Sequence, residues 1–300
     1  MLWIKYLREW VVNNTKHKLQ FFFRTMKIRN YPLKKSGYGS WKAIFKNPAP
    51  IEVTSYQTGS VLIDLDGALN PNHVKSPRIS GTVEVPILAH FISHKKLGNF
   101  LLDAGLDKSY YHDPYGGVDT PLKEEYIQDK NQNIGYQLGN KSSKINAVFL
   151  SHMHPDHIAG LRDLSEKIPV VMSKGEMEDY KPDLYGDFLH DVETVCEIDF
   201  SDSEPISPFS NCADLLGDGS IWAVSTPGHT MGHISFVVNG LNGPKLLTMD
   251  VAFIYENISY GVAPSDYTWD VEKAQKSLDT VNDFIGLIRG LEIIPGHALP

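Results

Sequence analysis

Short apolar runs bounded by Gly, Pro, Asn and Asp recur from about residue 51 onward, and this pattern predicts a chain built on β-strands. Strands are expected over Ile51–Tyr56, Ser60–Leu65, Thr82–Ser93, Asn99–Leu102 and Ile145–Leu150. Further strands are expected over Pro169–Met172, Ile221–Thr226, Ile234–Val238, Lys245–Met249 and Leu291–Ile294. Lys174–Tyr180 reads as a helical turn. Val271, Ala274, Leu278, Val281, Ile285 and Ile288 keep helical spacing and predict a helix over Asp270–Ile288. Two β-rich halves, each with helices, suggest two sheets held between helical layers.

Three segments stand apart from this rhythm. Leu2, Trp3, Tyr6, Leu7, Trp10 and Val11 share one face of an expected helix over residues 2–12, with Lys5, Arg8 and Glu9 opposite. Residues 30–50 hold Pro32, Gly37, Gly39, Pro48 and Pro50 and read as a connector. Residues 103–140 are polar, rich in Gly, Tyr and Asp, and read as a long functional loop or lid. The expected organisation is therefore a basic extension over 1–50 and a catalytic domain over 51–300.

Charge sharpens that division. Residues 1–50 hold 11 Lys and Arg against one acid, Glu9, whereas the other 250 hold 17 basic and 35 acidic residues. The acidic body would repel phosphates, so no nucleic-acid partner is expected. The basic segment suits an acidic surface: the body itself, a second subunit in a homodimer, or an anionic membrane touched weakly by the first helix. No apolar run approaches a membrane span, and no signal-peptide core is visible. Two cysteines, Cys196 and Cys212, offer no disulfide framework, and the expected location is the cytoplasm.

The densest chemistry follows the strand Ile145–Leu150. Ser151-His152-Met153-His154-Pro155-Asp156-His157 places three imidazoles and a carboxylate within six positions. Nitrogen and carboxylate oxygen are common donors to zinc and similar divalent ions. Three more candidate donors stand at strand ends: His229 in Pro227-Gly228-His229, Asp250 after Lys245–Met249, and His297 in Pro295-Gly296-His297. Five histidines and two aspartates suffice for two metal ions sharing one carboxylate, an arrangement suited to hydrolysis. His233 reads as a packing or supporting histidine, and His112 beside Tyr110 and Tyr111 as a candidate lining residue.

The set HxHxDH followed by His, Asp and His resembles the metallo-β-lactamase superfamily over roughly residues 51–297. The resemblance implies a four-layer αβ/βα sandwich, with two mixed β-sheets flanked by helices. It implies one metal on His152, His154 and His229, a second on Asp156, His157 and His297, and Asp250 as the bridge. Zinc is the implied ion, with manganese or iron as alternatives. His154 in place of a glutamate separates the chain from the flavodiiron oxidoreductases, and Asp250 in place of a cysteine from the true zinc β-lactamases.

The layout is most similar to the N-acyl homoserine lactonase-like, quorum-quenching group. The supporting pieces are Asn99–Gly105, Asp113-Pro114, Tyr136–Gly139 and Leu216–Ser220. The resemblance implies a lactone or ester hydrolase in which a metal-bridging hydroxide attacks the carbonyl and Asp156 passes a proton to the leaving alkoxide. A thioester hydrolase like glyoxalase II and a phosphodiesterase are the alternatives on the same scaffold. The group's tyrosine three residues after the bridging aspartate is replaced here by Phe253, and Tyr255 is expected to stand in for it.

Overall fold

A computed structural model of the chain describes residues 26–300. The helix expected over 2–12 lies outside the described residues. In chain order the strands are β1 (Lys27–Asn30), β2 (Ile51–Asp64), β3 (Thr82–His94), β4 (Gly98–Leu102), β5 (Tyr126–Ile127), β6 (Ile145–Phe149) and β7 (Val170–Ser173). They continue with β8 (Thr194–Ile198), β9 (Glu204–Ile206), β10 (Phe209–Asp214), β11 (Ile221–Ser225), β12 (Ile234–Gly240), β13 (Gly243–Met249) and β14 (Glu292–Pro295). Among the described residues they form two mixed sheets, ordered β1-β8-β7-β6-β4-β3-β2-β5 and β14-β13-β12-β11-β10-β9.

The alternation of side chains along a strand explains why these sheets stack. In β6, Ala147 and Phe149 face the second sheet, while Val148 joins the cluster on the opposite face. In β12, Ile234, Phe236 and Val238 meet them from the other side, while Val237 turns outward. That outer face is covered by the helix Val271–Leu287, whose Ala274, Leu278, Val281 and Phe284 are buried against it. Asp270 caps this helix by accepting the Lys273 amide. The first sheet is covered by short helical segments carrying Ile134, Leu138, Ile158 and Leu161. The resulting order is helix, sheet, sheet, helix, the expected αβ/βα sandwich.

Several elements differ from the reading of the sequence. The strands expected over Ile51–Tyr56 and Ser60–Leu65 are one strand, β2, with an irregularity in register between Gln57 and Gly59. Residues 26–50 are built into the fold. β1 pairs in parallel with β8, and Trp41 and Ile44 are buried in the outer cluster of the second sheet. Pro32, Gly37, Gly39, Pro48 and Pro50 lie in or beside the irregular stretches that join these docked pieces. The long segment 103–140 carries a 3₁₀ turn (Lys108–Tyr111), β5 and a short helix (Ile134–Leu138). Tyr110 is buried edge-on to Tyr126, while Tyr111 and His112 are exposed.

Candidate metal centre

Four strands of the two sheets end at one edge. β6 runs into Ser151–His157, β11 into Thr226–His229, β13 into Asp250 and β14 into His297. Pro155 holds His154 in an extended conformation (φ −73°, ψ 151°) and starts the helical turn Pro155–Ile158. His152 and His154 thus leave an extended backbone, while Asp156 and His157 come from the first turn of a helix.

All seven candidate donors converge. His229 Nε2 lies 3.2 Å from His152 Nε2 and 2.9 Å from His154 Nδ1. Asp156, His157 and His297 form a second group able to hold one ion. Asp250 stands between the two: its Oδ1 is 3.3 Å from His157 Nε2, and its Oδ2 is 3.4 Å from both His229 Nε2 and His297 Nε2. Gly296 allows this approach, because a Cβ there would meet Asp250 Oδ1 at 2.3 Å. His157 Nε2 and Asp250 Oδ1 are buried with no hydrogen-bond partner. Buried polar atoms left unpaired beside one another fit a bound cation, which would satisfy them together.

Electrostatics divides the donors. Burial drives His152 and His229 well below the ordinary imidazole range and lowers His154, so these rings are neutral and present lone pairs. Burial also opposes charge on His157 and His297. For His157 the carboxylates of Asp250, Asp156 and Asp103 more than offset it, as Asp250 and Asp156 do for His297, and both are raised. Burial would raise Asp250, but His157 and His297 hold it well below the ordinary carboxylate range.

A supporting layer orients the rings, and apart from His233 sequence reasoning did not assign it. Asp103 follows β4 with a left-handed φ of 53°, a conformation stored where the surroundings enforce it. Its carboxylate accepts from Ser151 N at 2.6 Å, Ser151 Oγ at 2.7 Å and His157 Nδ1 at 2.6 Å. His297 Nδ1 donates to the Pro86 carbonyl at 3.0 Å. Each bond turns the ring's Nε2 toward the centre. His233 Nε2 accepts from Asp250 N at 3.0 Å, the supporting place expected of it.

Glu176 ties two donor loops together. It accepts from Met153 N at 3.1 Å, from Gly232 N at 2.9 Å and from the Thr230 hydroxyl. Burial pushes its carboxyl up to about 7, against those three hydrogen bonds, which lower it. An acid raised on folding contributes stability that is fully present below about pH 4.5 and lost as pH rises through about 7. Glu176→Gln is therefore expected to flatten this loss. Across pH 5–8 the wild type should fall by about 3 kcal/mol relative to the variant in urea titrations. Parallel pH profiles for the two proteins would refute the assignment.

Tyr255 is not where the sequence suggested. It opens the helix Tyr255–Tyr260, and its hydroxyl donates to the Ile293 carbonyl at 3.1 Å. The two-residue offset from position 253 carries it past the chain's turn, so its side chain serves the β14 edge. Phe253 itself is buried edge-on to His229 and His297, with ring centroids 5.4 and 5.5 Å away. The tyrosine against the cluster is Tyr185, 5.6 Å from the His154 ring. No local sequence signal marks it.

Residues 84–284 match the metallo-beta-lactamase superfamily. The chain belongs to that superfamily. Among this metallo-beta-lactamase protein's relatives, the N-acyl homoserine lactonase AttM of Azorhizobium caulinodans is 25% identical over 228 residues, covering 71% of this chain and 82% of AttM. A hydroxyacylglutathione hydrolase of Vibrio cholerae is 32% identical over 109 residues, covering 36% of this chain and 34% of the relative. A solved N-acyl homoserine lactone hydrolase, with the product N-hexanoyl-L-homoserine at its catalytic metal centre, shares the fold. Its TM-score is 0.63 at 18% identity, and the match covers 84% of this chain and 94% of that one.

Proposed function

We propose that this metallo-beta-lactamase protein is a dinuclear lactone hydrolase that takes an N-acyl homoserine lactone or a closely related ester. It is a metal-dependent hydrolase, and its seven converging donors carry the finer reading. His152, His154 and His229 would hold one ion, and Asp156, His157 and His297 the other, with Asp250 offering an oxygen to each. Two divalent ions bound there, zinc best matching the nitrogen and oxygen donors, supply Lewis acidity and bring the pKa of water toward neutrality.

The chain's own residues do the rest. Neutral His152, His154 and His229 leave their lone pairs available for a cation. Phe253 packs edge-on to His229 and His297 and Tyr185 stands against His154, aromatic surface beside the donors against which a substrate's acyl part would be oriented. Asp156 takes the proton lost by the attacking water and returns it to the ring oxygen as the acyl C–O bond breaks. The product is a hydroxy acid, which ionises and releases one proton. AttM's name supports the lactone over a thioester, because its match spans 71% of this chain against 36% for the hydroxyacylglutathione hydrolase.

Proton release by zinc-loaded protein on N-acyl homoserine lactones, γ- and δ-lactones, S-lactoylglutathione and bis(p-nitrophenyl) phosphate tests this reading. Fastest turnover on a lactone is the expected result. Silence on every lactone with turnover of the thioester or phosphodiester would overturn it.

A further inference from the structure

A cavity of about 190 Å³ lies on the outer side of the first sheet, between the 3₁₀ turn Ala159–Asp163 and the chain that leads into β8. Val148, Val170, Phe188 and Val192 are buried beneath it. An apolar cavity of about 150 Å³ already accepts a benzene ring. Glu166, Asp187 and Asp191 bring carboxylates to its rim. Arg162 also lines it, but its guanidinium is paired with Asp107 at 2.5 Å and donates to the Gly116 carbonyl at 3.1 Å. His190 stands 3.8 Å from both Asp187 and Asp191. Three carboxylates against one imidazole leave the rim negative.

The described chain begins beside this cavity. Lys27 N donates to the Glu193 carbonyl at 2.9 Å, and Glu193 N donates to the Glu166 carbonyl at 3.0 Å. Met26 packs against the apolar cluster that supplies the cavity floor. β1 runs parallel to β8 with Lys27 opposite Thr194, so the chain enters β1 from the side of Asp191 and Val192. Phe22 and Phe23 precede Met26 by four and three residues, at most ~10–14 Å of chain. That puts both within reach of the cavity.

Charge and hydrophobicity both match. Residues 1–25, outside the described residues, carry Lys5, Arg8, Lys16, Lys18 and Arg24 against Glu9. We propose that this segment docks on its own body: a ring of Phe22 or Phe23 enters the cavity, and the basic side chains of residues 16–24 face Glu166, Asp187 and Asp191. Exposed ion pairs hold little by themselves, so the buried ring supplies the grip and the charges select the face. The covalent link at Met26 favours this segment over a second copy or a lipid surface, because it keeps the segment at high local concentration.

The test is amide hydrogen exchange of the full chain, followed over residues 165–170 and 187–193. The wild type is compared with a Phe22→Ser, Phe23→Ser double variant and with a Glu166→Lys, Asp191→Lys double variant. Glu166 and Asp191 are exposed, so the second variant leaves the core intact. Docking predicts exchange roughly fivefold or more faster over both stretches in each variant, while β12 exchanges as in the wild type. Equal rates in all three proteins overturn it. Protection that the wild type loses on roughly hundredfold dilution assigns the cavity to a second copy. Protection gained only on vesicles containing phosphatidylserine assigns it to an anionic membrane. Either of these results overturns docking within one chain.

Discussion

Asp250→Asn is expected to lower lactone turnover by at least ~10³-fold and to leave the protein with less than its full metal complement. The reason lies in the two oxygens. Oδ1 faces His157 while Oδ2 faces His229 and His297, so one carboxylate serves both donor groups. An amide keeps one oxygen and puts an N–H donor where the other accepted, next to imidazole Nε2 atoms or a cation. It also deletes a buried negative charge that helps hold His157 and His297 above their ordinary range. Elemental analysis of metal per chain, together with initial rates at saturating zinc, checks both parts. A variant with full metal content and full rate would show that Asp250 does not bridge.

The second large effect concerns the metal itself. Stripping the protein with a chelator should lower its melting temperature by more than ~10 °C, and added zinc should restore it. Metal-free, the site buries Asp156 and Asp250, whose negative charges oppose each other, and orphans His157 Nε2 and Asp250 Oδ1. A ligand that binds the folded state alone, present at 1,000 times its dissociation constant, contributes about 4 kcal/mol per site. Each kcal/mol is worth about 2–4 °C in domains somewhat smaller than this one. Scanning calorimetry of stripped and zinc-restored samples measures the shift directly. Melting temperatures that agree within about 2 °C would mean that no ion is held at this edge.

What the sequence made legible follows from how local each signal is. His152, His154, Asp156 and His157 could be read together because a strand end and a proline-initiated turn gather them within six positions. His229, Asp250 and His297 were legible because each directly follows an apolar strand. Asp103 stood in plain view after β4, but its partners, Ser151 and His157, are about 50 residues away, and only the sheet pairing of β4 with β6 brings them together. Glu176 and Tyr185 sit in short helical turns whose polar pattern resembles any surface turn.

The same logic governs the fold. β12 is buried at every position and reads as a strand from its apolar run. β8 and β9 are half-exposed or exposed at most positions and carry no long apolar run, so their pairing is set by partners rather than by composition. Tyr255 was misplaced for a related reason. A two-residue offset looks small along the chain, yet the helix that starts at position 255 sends the side chain to the β14 edge.

The donors are spread unevenly along the chain, and this gives their assembly an order in time. During synthesis the HxHxDH string emerges first as an open chelating peptide, with His229, Asp250 and His297 still to come. Neither triad is complete until a later strand has been made and docked: β11 for the first, β14 for the second. An ion captured early would be held by the nascent string alone and could exchange for whatever metal the surroundings supply. The choice of metal would then be settled late, when the second sheet closes over the first and His297 arrives.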